Sequence, residues 1–214
     1  MTGSVYFISG IDTGIGKTYT TGYLAKIWNE QGIRTITQKL IQTGNVDVSE
    51  DIEQHRKIMG TGFLLEDETK LTMPEIFTYP ASPHLATKLD GREIDFAKIE
   101  YATKRLTEKY DNVLLEGAGG LMVPLTTDLL TIDYVVENQY PLILVTSGRL
   151  GSINHTILSL EALKSRGLVL YALAYNLNDE SEDELISKDT AEYLKVYLAK
   201  HFPQALWIDV PVLA

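Results

Sequence analysis

The chain has 214 residues, no cysteine, and 19 Lys and Arg against 29 Asp and Glu, which gives a formal charge of −10. This length predicts one domain with a sizeable core, and the lack of cysteine excludes disulfide scaffolds, thiolate zinc sites and cysteine nucleophiles. The acidic balance disfavours nucleic acid and anionic membranes as partners, because both recruit proteins through excess positive charge.

Short apolar strands alternate with longer amphipathic helices along the chain. In chain order the pattern predicts a strand at 5–8, a helix at 19–28 that ends at Gly32, a strand at 35–38, a helix from Ser49 to Met59, a helix at 96–110, a strand at 112–115, a strand at 142–145, a helix at 153–163, a strand at 168–174, a helix at 190–201 and a strand at 206–208. Residues 44–95 fit the alternation least well and are interpreted as an excursion from the sheet. Because apolar strands joined by helices require right-handed crossovers, we predict an α/β fold over residues 1–214, a single domain with a mostly parallel sheet and helices on both faces.

The start of the chain lacks the features of a targeting segment, since the first basic residue is Lys17 and no long apolar stretch follows it. The longest apolar run, from Leu168 to Tyr175, is far shorter than the roughly 20 residues that a membrane-spanning helix needs. We therefore expect a cytoplasmic protein that works without a membrane.

The segment from Gly10 to Thr18, GIDTGIGKT, lies between the first predicted strand and the first predicted helix. A glycine-rich loop at this place turns backbone N–H groups around a phosphate and presents the positive end of the following helix. Lys17 would then reach the β and γ phosphates of a nucleotide, and Thr18 would bind Mg²⁺. The strict G-x4-G-K-[ST] spacing requires glycine at position 11, where this chain has Ile11, so a plain glycine-rich turn with a solvated lysine is the alternative.

Glu116 comes at the carboxyl end of an apolar strand, and Gly117 leaves room beside it. In a phosphate-loop protein this is the place of the acid that faces the metal, so we predict that Glu116 lies in the metal or nucleotide site. Asp51 follows Ser49 in the first turn of a predicted helix, where an acid is common for helix-dipole reasons alone.

The loop and several further stretches resemble the dethiobiotin synthetases, whose loop runs G-x-D-T-x-V-G-K-T with the same one-place offset. The further stretches are KLIQTG at 39–44, SPH at 82–84, EGAGG at 116–120 and LGSINH at 150–155, and the resemblance runs from residue 5 to about 210. It implies a phosphate-loop NTPase-like fold and a homodimeric, ATP-dependent, Mg²⁺-requiring ligase. Such an enzyme closes the ureido ring of dethiobiotin from 7,8-diaminopelargonate, CO₂ and ATP.

The resemblance also implies roles for individual residues. The catalytic set would be Lys39, Lys17 and Thr13, with Lys39 holding the carbamate anion. The nucleotide-binding set would be Gly14, Ile15, Gly16, Lys17, Thr18, Asp51, Glu116, Gly117, Ala118, Gly119 and Asn176, with Asn176 at the adenine. The metal ligands would be Thr18, Asp51 and Glu116, and the substrate-binding set would be Lys39, Thr43, Gly151, Asn154 and Tyr193. The helix start at Gly151 would reach the substrate bound on the other subunit of the homodimer.

Several of these residues have simpler interpretations. A lysine at position 39 is usually solvated, Thr43 and Asn176 could form turns, Ser152 could cap a helix, and Tyr193 could pack on a helix face. The four histidines show no metal-ligand spacing, and none is assigned to chemistry. The chain stops at PVLA, residues 211–214, soon after the segment that resembles the family's base-binding loop, so we expect weaker or less selective contact with the purine.

Two other protein classes share parts of the pattern. A regulatory ATPase switch of the partition and septum-placement type has the same fold and loop, but carries an extra lysine near the loop start that residues 8–12 lack. A synthetase that amidates a corrin-ring precursor is typically fused to a glutaminase with a cysteine nucleophile, and this chain has no cysteine.

Overall fold

The computed structural model describes residues 2–179 and 183–212. Its strands are β1 (Ser4–Gly10), β2 (Thr35–Lys39), β3 (Gln42–Thr43), β4 (Ile76–Phe77), β5 (Asn112–Gly120), β6 (Leu142–Ser147), β7 (Leu170–Asn176) and β8 (Leu206–Val210). Its α-helices are α1 (Lys17–Glu30), α2 (Glu50–Met59), α3 (Leu65–Glu68), α4 (Pro83–Asp90), α5 (Phe96–Lys109), α6 (Thr131–Asn138), α7 (Ser152–Ser165) and α8 (Glu184–His201). A short 3-10 helix covers Leu177–Asp179.

Six strands form one sheet in the order β2-β5-β1-β6-β7-β8, and each neighbouring pair in it is parallel. The predicted α/β class with a mostly parallel sheet is therefore confirmed. The chain leaves the central strand β1 toward β2 on one side, and later crosses to β6, β7 and β8 on the other. This reversal of direction beside β1 creates the crevice at the carboxyl ends of the strands where α/β proteins bind ligands.

The two faces of the sheet can be followed from consecutive side chains of β1. Tyr6 packs against Trp28 of α1, with ring centroids 5.3 Å apart. The next residue, Phe7, packs against Tyr134 of α6 at 6.4 Å, and Tyr134 in turn stacks on Phe96 of α5. Because successive side chains of a strand point to opposite faces, helices cover both faces, as predicted.

The excursion predicted for residues 44–95 lies outside the six-stranded sheet. It includes α2, which Ser49 caps by accepting a hydrogen bond from the Ile52 N–H at 3.2 Å, and this agrees with the predicted helix. The sequence did not predict that β3 pairs with β4 in a second, two-stranded sheet. Strands of two residues are too short to show any periodicity.

Most element boundaries differ from the prediction by one or more residues, and β5 runs on to Gly120 rather than ending at residue 115. The sequence pattern did not predict α3, α4 or α6. The seventh strand begins at Leu170 rather than at residue 168, because Gly167 has a φ of 65° and the chain is still leaving the preceding helix there. The last helix begins at Glu184 rather than near Thr190, since Asp183 caps it and its first turns are too polar to show an apolar stripe.

None of the helices in the described part of the chain combines the length and the apolar composition that crossing a bilayer requires. Of the C-terminal segment PVLA, the residues Leu213 and Ala214 lie outside the described residues.

Candidate active site

The loop between β1 and α1 has a backbone that only glycine adopts easily at two positions. β1 ends at Gly10 and α1 begins at Lys17, and Gly14 and Gly16 have φ angles of 73° and 95°. This left-handed region is sterically unfavourable for residues with a side chain. A Cβ on Gly16 would also lie 2.2 Å from Nδ2 of Asn176, so both the conformation and the space require glycine there.

Lys17 lies inside the crevice rather than in solvent. It is 7% exposed, and its Nζ donates to the carbonyl oxygen of Asp12 at 3.1 Å, so the interpretation as a solvated lysine is wrong. Burial, followed by the positive charge of Lys39, lowers the pKa of Lys17 to about 8, although nearby carboxylates act in the opposite direction. The folded chain therefore holds an ammonium group whose charge is only partly compensated, as a group that receives an anion would be.

Lys39 lies on the other side of the crevice, at the end of β2, where the sheet register places it opposite Glu116. It is 5% exposed, so it is not the solvated lysine that its position alone would suggest. Its Nζ is 2.9 Å from Glu116 Oε1 and 2.5 Å from Asp51 Oδ2, and it donates to the carbonyl oxygen of Gly117 at 3.1 Å. These three contacts match the three protons of the ammonium group.

Lys39 and Glu116 each change the pKa of the other. Burial alone would raise the pKa of the Glu116 carboxyl, but Lys39 and His55 outweigh it and hold the pKa well below its usual range. Burial would also lower the pKa of Lys39, yet Glu116 and Asp51 outweigh it and raise the pKa above its ordinary value. Lys39 and Glu116 are therefore both charged at neutral pH.

Thr18, Asp51 and Glu116 meet at the start of α1. The Thr18 hydroxyl donates to Asp51 Oδ1 at 2.7 Å and lies 3.3 Å from Glu116 Oε1. Within residues 2–179 and 183–212 no group of three His, Asp or Glu side chains is arranged to hold a metal ion. A hydroxyl with two carboxylates is an incomplete shell of hard oxygen donors, which fits Mg²⁺, since this ion keeps several waters and takes phosphate oxygens as further ligands.

His55 is a residue of this site that the sequence did not reveal. It is fully buried on α2, with Nε2 2.9 Å from Glu116 Oε2 and Nδ1 3.0 Å from Thr37 Oγ1. It follows Asp51 by four residues, so both side chains lie on one face of the helix. That i, i+4 spacing from a candidate metal ligand is the signal that could have found it.

Two cavities meet between the loop, the end of β5 and the excursion. The first, of about 380 Å³, contains both lysines and is lined by Thr13, Gly14, Gly16, Lys17, Thr18, Tyr19, Lys39, Ile41, Gln42, Thr43, Glu50, Asp51, Glu116, Ala118 and Gly119. The second, of about 410 Å³, shares Thr13, Thr43, Ala118 and Gly119 with it. Its own lining is more apolar and comes from Pro80, Ala81, Ser82, Pro83 and Val123.

Ile15 and Asn176 belong to or contact the loop between β1 and α1, but they line neither cavity. Ile15 is fully buried in the core, and Asn176 donates from Nδ2 to the Ile15 carbonyl oxygen at 3.0 Å. The Asn176 Oδ1 accepts from the Asn178 N–H at 3.1 Å, which fits the alternative interpretation as a turn residue, and the adenine contact stays a prediction.

The residues predicted to contact substrate across a dimer are exposed. Gly151 is the N-cap of α7, so Ser152 does not cap that helix, and its hydroxyl instead lies 3.3 Å from the Ser147 hydroxyl. Gly151, Asn154 and Tyr193 are all exposed, Tyr193 to 48%, and none of them lines either cavity. Tyr193 is thus not a buried packing residue.

Comparison with known sequences finds one matching family model and several similar proteins. A protein-family model described as an AAA domain matches residues 4–209. ATP-dependent dethiobiotin synthetase BioD 2 of Pasteurella multocida is 53% identical over 203 residues, which cover 95% of this chain and 95% of that protein. ATP-dependent dethiobiotin synthetase BioD of Chlorobaculum tepidum is 53% identical over 211 residues, which cover 98% of this chain and 88% of that protein.

Comparison with solved structures supports the fold alone. A putative plasmid partition protein from Borrelia burgdorferi bound to AMPPNP superposes with a TM-score of 0.57 at 12% identity, over 92% of this chain and 84% of that chain. The signal recognition particle receptor FtsY from Elizabethkingia anophelis in complex with GDP superposes with a TM-score of 0.54 at 15% identity, over 97% of this chain and 56% of that chain. At such low identity, these matches show a shared arrangement of strands and helices.

Proposed function

The chain belongs to the AAA-domain family and to the ATP-dependent dethiobiotin synthetases, and we propose that its crevice closes the ureido ring of dethiobiotin from 7,8-diaminopelargonate, CO₂ and ATP. The observation that carries this proposal is the pair of buried lysines, Lys17 and Lys39, that line one cavity from opposite sides. Lys17 belongs to the phosphate loop, and Lys39 lies where a second anion can approach.

The proposed reaction has three steps. One amine of the substrate attacks CO₂ and loses a proton, which gives a carbamate. A carbamate oxygen then attacks the γ-phosphorus of ATP, and ADP leaves. The second amine attacks the carbamoyl carbon and loses a proton, the C–O bond to the phosphate breaks, and the ring closes as phosphate leaves. Substrate atoms form every bond, so the protein needs mainly to position the reactants and to neutralise charge.

Each of these tasks can be assigned to residues of the crevice. Lys17 would bind the β and γ phosphates, and Thr13, which lines both cavities, would stand beside the transferred phosphoryl group. Thr18, Asp51 and Glu116 would hold Mg²⁺, which when bound neutralises phosphate charge.

Lys39 would stabilise the carbamate as an oxyanion donor does, because a preorganised cation in a water-poor crevice lowers the energy of developing negative charge. Its three contacts are all made within the chain, so the carbamate must replace one of them. The contact to Asp51 is the one that involves the more solvent-accessible carboxylate, with 20% side-chain exposure against 1% for Glu116. We therefore assign the replacement to Asp51.

The second cavity is suited to the aliphatic part of the substrate. Pro80, Ala81, Pro83 and Val123 supply apolar surface, and Thr43 adjoins the cavity that holds Lys39. An alkyl chain bound there would leave its amines beside Lys39 and Thr43. The Thr43 hydroxyl would then donate to the carbamate.

We further propose a homodimer in the cytoplasm that acts without nucleic acid or a membrane. Gly151, Asn154 and Tyr193 would contact the substrate held in the other subunit, with the N–H groups at the start of α7 facing its carboxylate. Their exposure supports this proposal, since it leaves all three open to a second subunit.

A coupled assay tests the proposed function. Protein is incubated with ATP, Mg²⁺, bicarbonate and diaminopelargonate, and the product is identified by mass. We expect the mass of dethiobiotin, and phosphate release that requires both bicarbonate and the diamine. Phosphate release that ignores both would instead support a regulatory ATPase switch. Repeating the assay with other nucleoside triphosphates measures how selective the base contact is.

A further inference from the structure

The Glu116 carboxylate is held from both sides by different groups. Oε1 faces the crevice, 2.9 Å from Lys39 Nζ and 3.3 Å from Thr18 Oγ1. Oε2 faces α2 and is 2.9 Å from Nε2 of His55. The terminal torsion of a glutamate has only a broad preference, so a second contact is needed to fix the plane of the carboxylate.

We propose that His55 is a positioning residue which, oriented by Thr37, fixes the plane of the Glu116 carboxylate and so sets how Oε1 faces the crevice. The inference rests on the proposed function only in that Glu116 belongs to the Mg²⁺ and nucleotide site. It concerns the hydrogen bonds that hold a candidate ligand, and it assigns His55 no contact with a substrate.

The partners of His55 require a proton on one of its ring nitrogens. Nε2 faces a carboxylate, which can only accept, so Nε2–H must donate to Glu116 at 2.9 Å. Nδ1 lies 3.0 Å from the Thr37 hydroxyl oxygen, which also accepts from Arg56 Nη1 at 2.9 Å. Hydrogen bonds therefore connect Arg56, Thr37, His55 and Glu116 in sequence.

The far end of this chain of hydrogen bonds is anchored in the interior. Arg56 makes a two-bond pair with Asp67, at 2.8 and 2.9 Å. Asp67 also accepts from the Thr72 hydroxyl and from the Leu64 N–H, both at 2.7 Å. Arg56 and Asp67 are at most 2% exposed, so a change of orientation at either would leave a buried charge unpaired.

Metal-binding histidines are commonly oriented by a carboxylate behind them, and removing such an outer partner typically weakens metal binding about 10- to 100-fold. The arrangement at Glu116 has the reverse order, with a histidine behind a carboxylate, and the same physical reason applies. A freely rotating carboxylate presents the correct oxygen for only part of the time. Loss of His55 should therefore weaken Mg²⁺-dependent nucleotide binding by roughly that factor.

The test compares variants that keep or remove each hydrogen bond. His55→Gln retains an amide N–H that can donate to Glu116, whereas His55→Leu does not. Thr37→Ser retains the hydroxyl beside Nδ1, whereas Thr37→Val removes it. His201→Leu, at the last residue of α8, is the matched control. For each variant, titration calorimetry measures the Mg²⁺ concentration that half-saturates binding of a non-hydrolysable ATP analogue, with thermal unfolding alongside.

We expect a 10- to 100-fold higher Mg²⁺ requirement for His55→Leu, a change of only a few fold for His55→Gln, and none for His201→Leu. Equal requirements for the two His55 variants would overturn the proposal, since a merely structural role would not distinguish them. If His55→Leu does not fold, the same comparison is made between Thr37→Val, with a raised requirement expected, and Thr37→Ser, with none.

A spectroscopic measurement tests the proposal without any nucleotide. In ¹⁵N-histidine-labelled protein, long-range ¹H–¹⁵N spectra should show His55 protonated at Nε2, with its signals assigned by their absence from His55→Gln. Thr37→Val should shift these signals and Thr37→Ser should keep them. The absence of a proton from Nε2 in the unchanged protein would refute the proposal. If dethiobiotin is not formed but these results hold, the proposed function fails and the role of His55 stands.

Discussion

Replacing Lys39 by methionine would leave two buried acids without their shared cation. The side chains of Lys39 and methionine are both long and unbranched, so Lys39→Met removes the charge with little loss of packing. Glu116 would lose the contact at 2.9 Å and Asp51 the contact at 2.5 Å, while burial of Glu116 would be unchanged. Two carboxylates would then face each other around the Thr18 hydroxyl without the ammonium group that they shared.

The expected cost follows from that burial. Removing one partner of a buried ion pair costs about 3–5 kcal/mol, because the other charge stays buried and unpaired. A protein of this size loses roughly 2–4 °C of melting temperature per kcal/mol, which gives a fall of roughly 6–20 °C. Catalysis should also fall by two or more orders of magnitude, as it does on loss of an oxyanion-stabilising donor.

The pH dependence has a definite sign. In the unchanged protein the pKa of Glu116 is held below its usual range, so its contribution to stability is present above the unfolded pKa and is lost as the pH falls through the folded pKa. In Lys39→Met the largest lowering influence on that pKa is lost while burial is unchanged, so the pKa should rise and the variant should lose less stability as the pH falls. The difference in the free energy of unfolding between the two proteins should therefore become smaller from pH 7.5 toward pH 5.

Lys17→Met is the matched control, because Lys17 lines the same cavity but its pKa is lowered to about 8, mainly by burial. Folding disfavours that charge, so removing it should leave stability unchanged or higher, although turnover is lost in both variants. Urea unfolding followed by circular dichroism at pH 7.5 and pH 5 measures all three proteins. Equal loss of stability in the two variants, or none in Lys39→Met, would refute the reasoning about Lys39.

Three further predictions concern the phosphate loop. Because the pKa of Lys17 is about 8, part of this group is neutral at pH 8.5, and binding of an anionic ATP analogue should make it take up protons. Calorimetry detects this uptake as binding heats that differ between buffers, and equal heats would contradict the prediction. Gly16→Ala should abolish nucleotide binding, since its Cβ would lie 2.2 Å from Asn176 Nδ2; retained binding in an equilibrium assay would show that the loop can shift. Arg149→Met should weaken nucleotide binding only a few fold, because the Arg149–Asp12 ion pair at 2.6 Å is partly exposed and worth about 1 kcal/mol or less. High salt should reduce the difference in nucleotide affinity between the variant and the unchanged protein; a difference that stays the same would argue against an electrostatic cause.

Local signals in the sequence predicted most of the fold. The phosphate loop, the Ser49 cap and the apolar strands each depend on residues close together in the chain. The pairing of β3 with β4 joins Gln42 to Ile76 and Thr43 to Phe77, and no local pattern specifies it. The early start of α8 was missed for a related reason, since a polar first turn gives no apolar stripe and only the cap at Asp183 marks it.

Only part of the candidate site could be predicted from local signals in the sequence. The glycine-rich loop gave Lys17 and Thr18, and a strand end gave Glu116, because each follows from position in an α/β fold. Lys39 and Asp51 depended on resemblance, since neither residue type is unusual at its place in the chain. His55 was missed because its partner Glu116 is 61 residues away, and only the sheet register brings them together.

The opposite electrostatics of the two lysines indicate how the crevice separates its two anions. Lys17 has no carboxylate within hydrogen-bond reach among its described contacts, and its lowered pKa shows that the folded chain compensates its charge poorly. A polyphosphate therefore gains the full benefit of this cation. Lys39 already contacts Glu116, Asp51 and the Gly117 carbonyl oxygen, so a second anion must displace one of these contacts. If the crevice acts as we propose, nucleotide binds at Lys17 without breaking an ion pair, whereas the Lys39 side selects an anion that can displace Asp51.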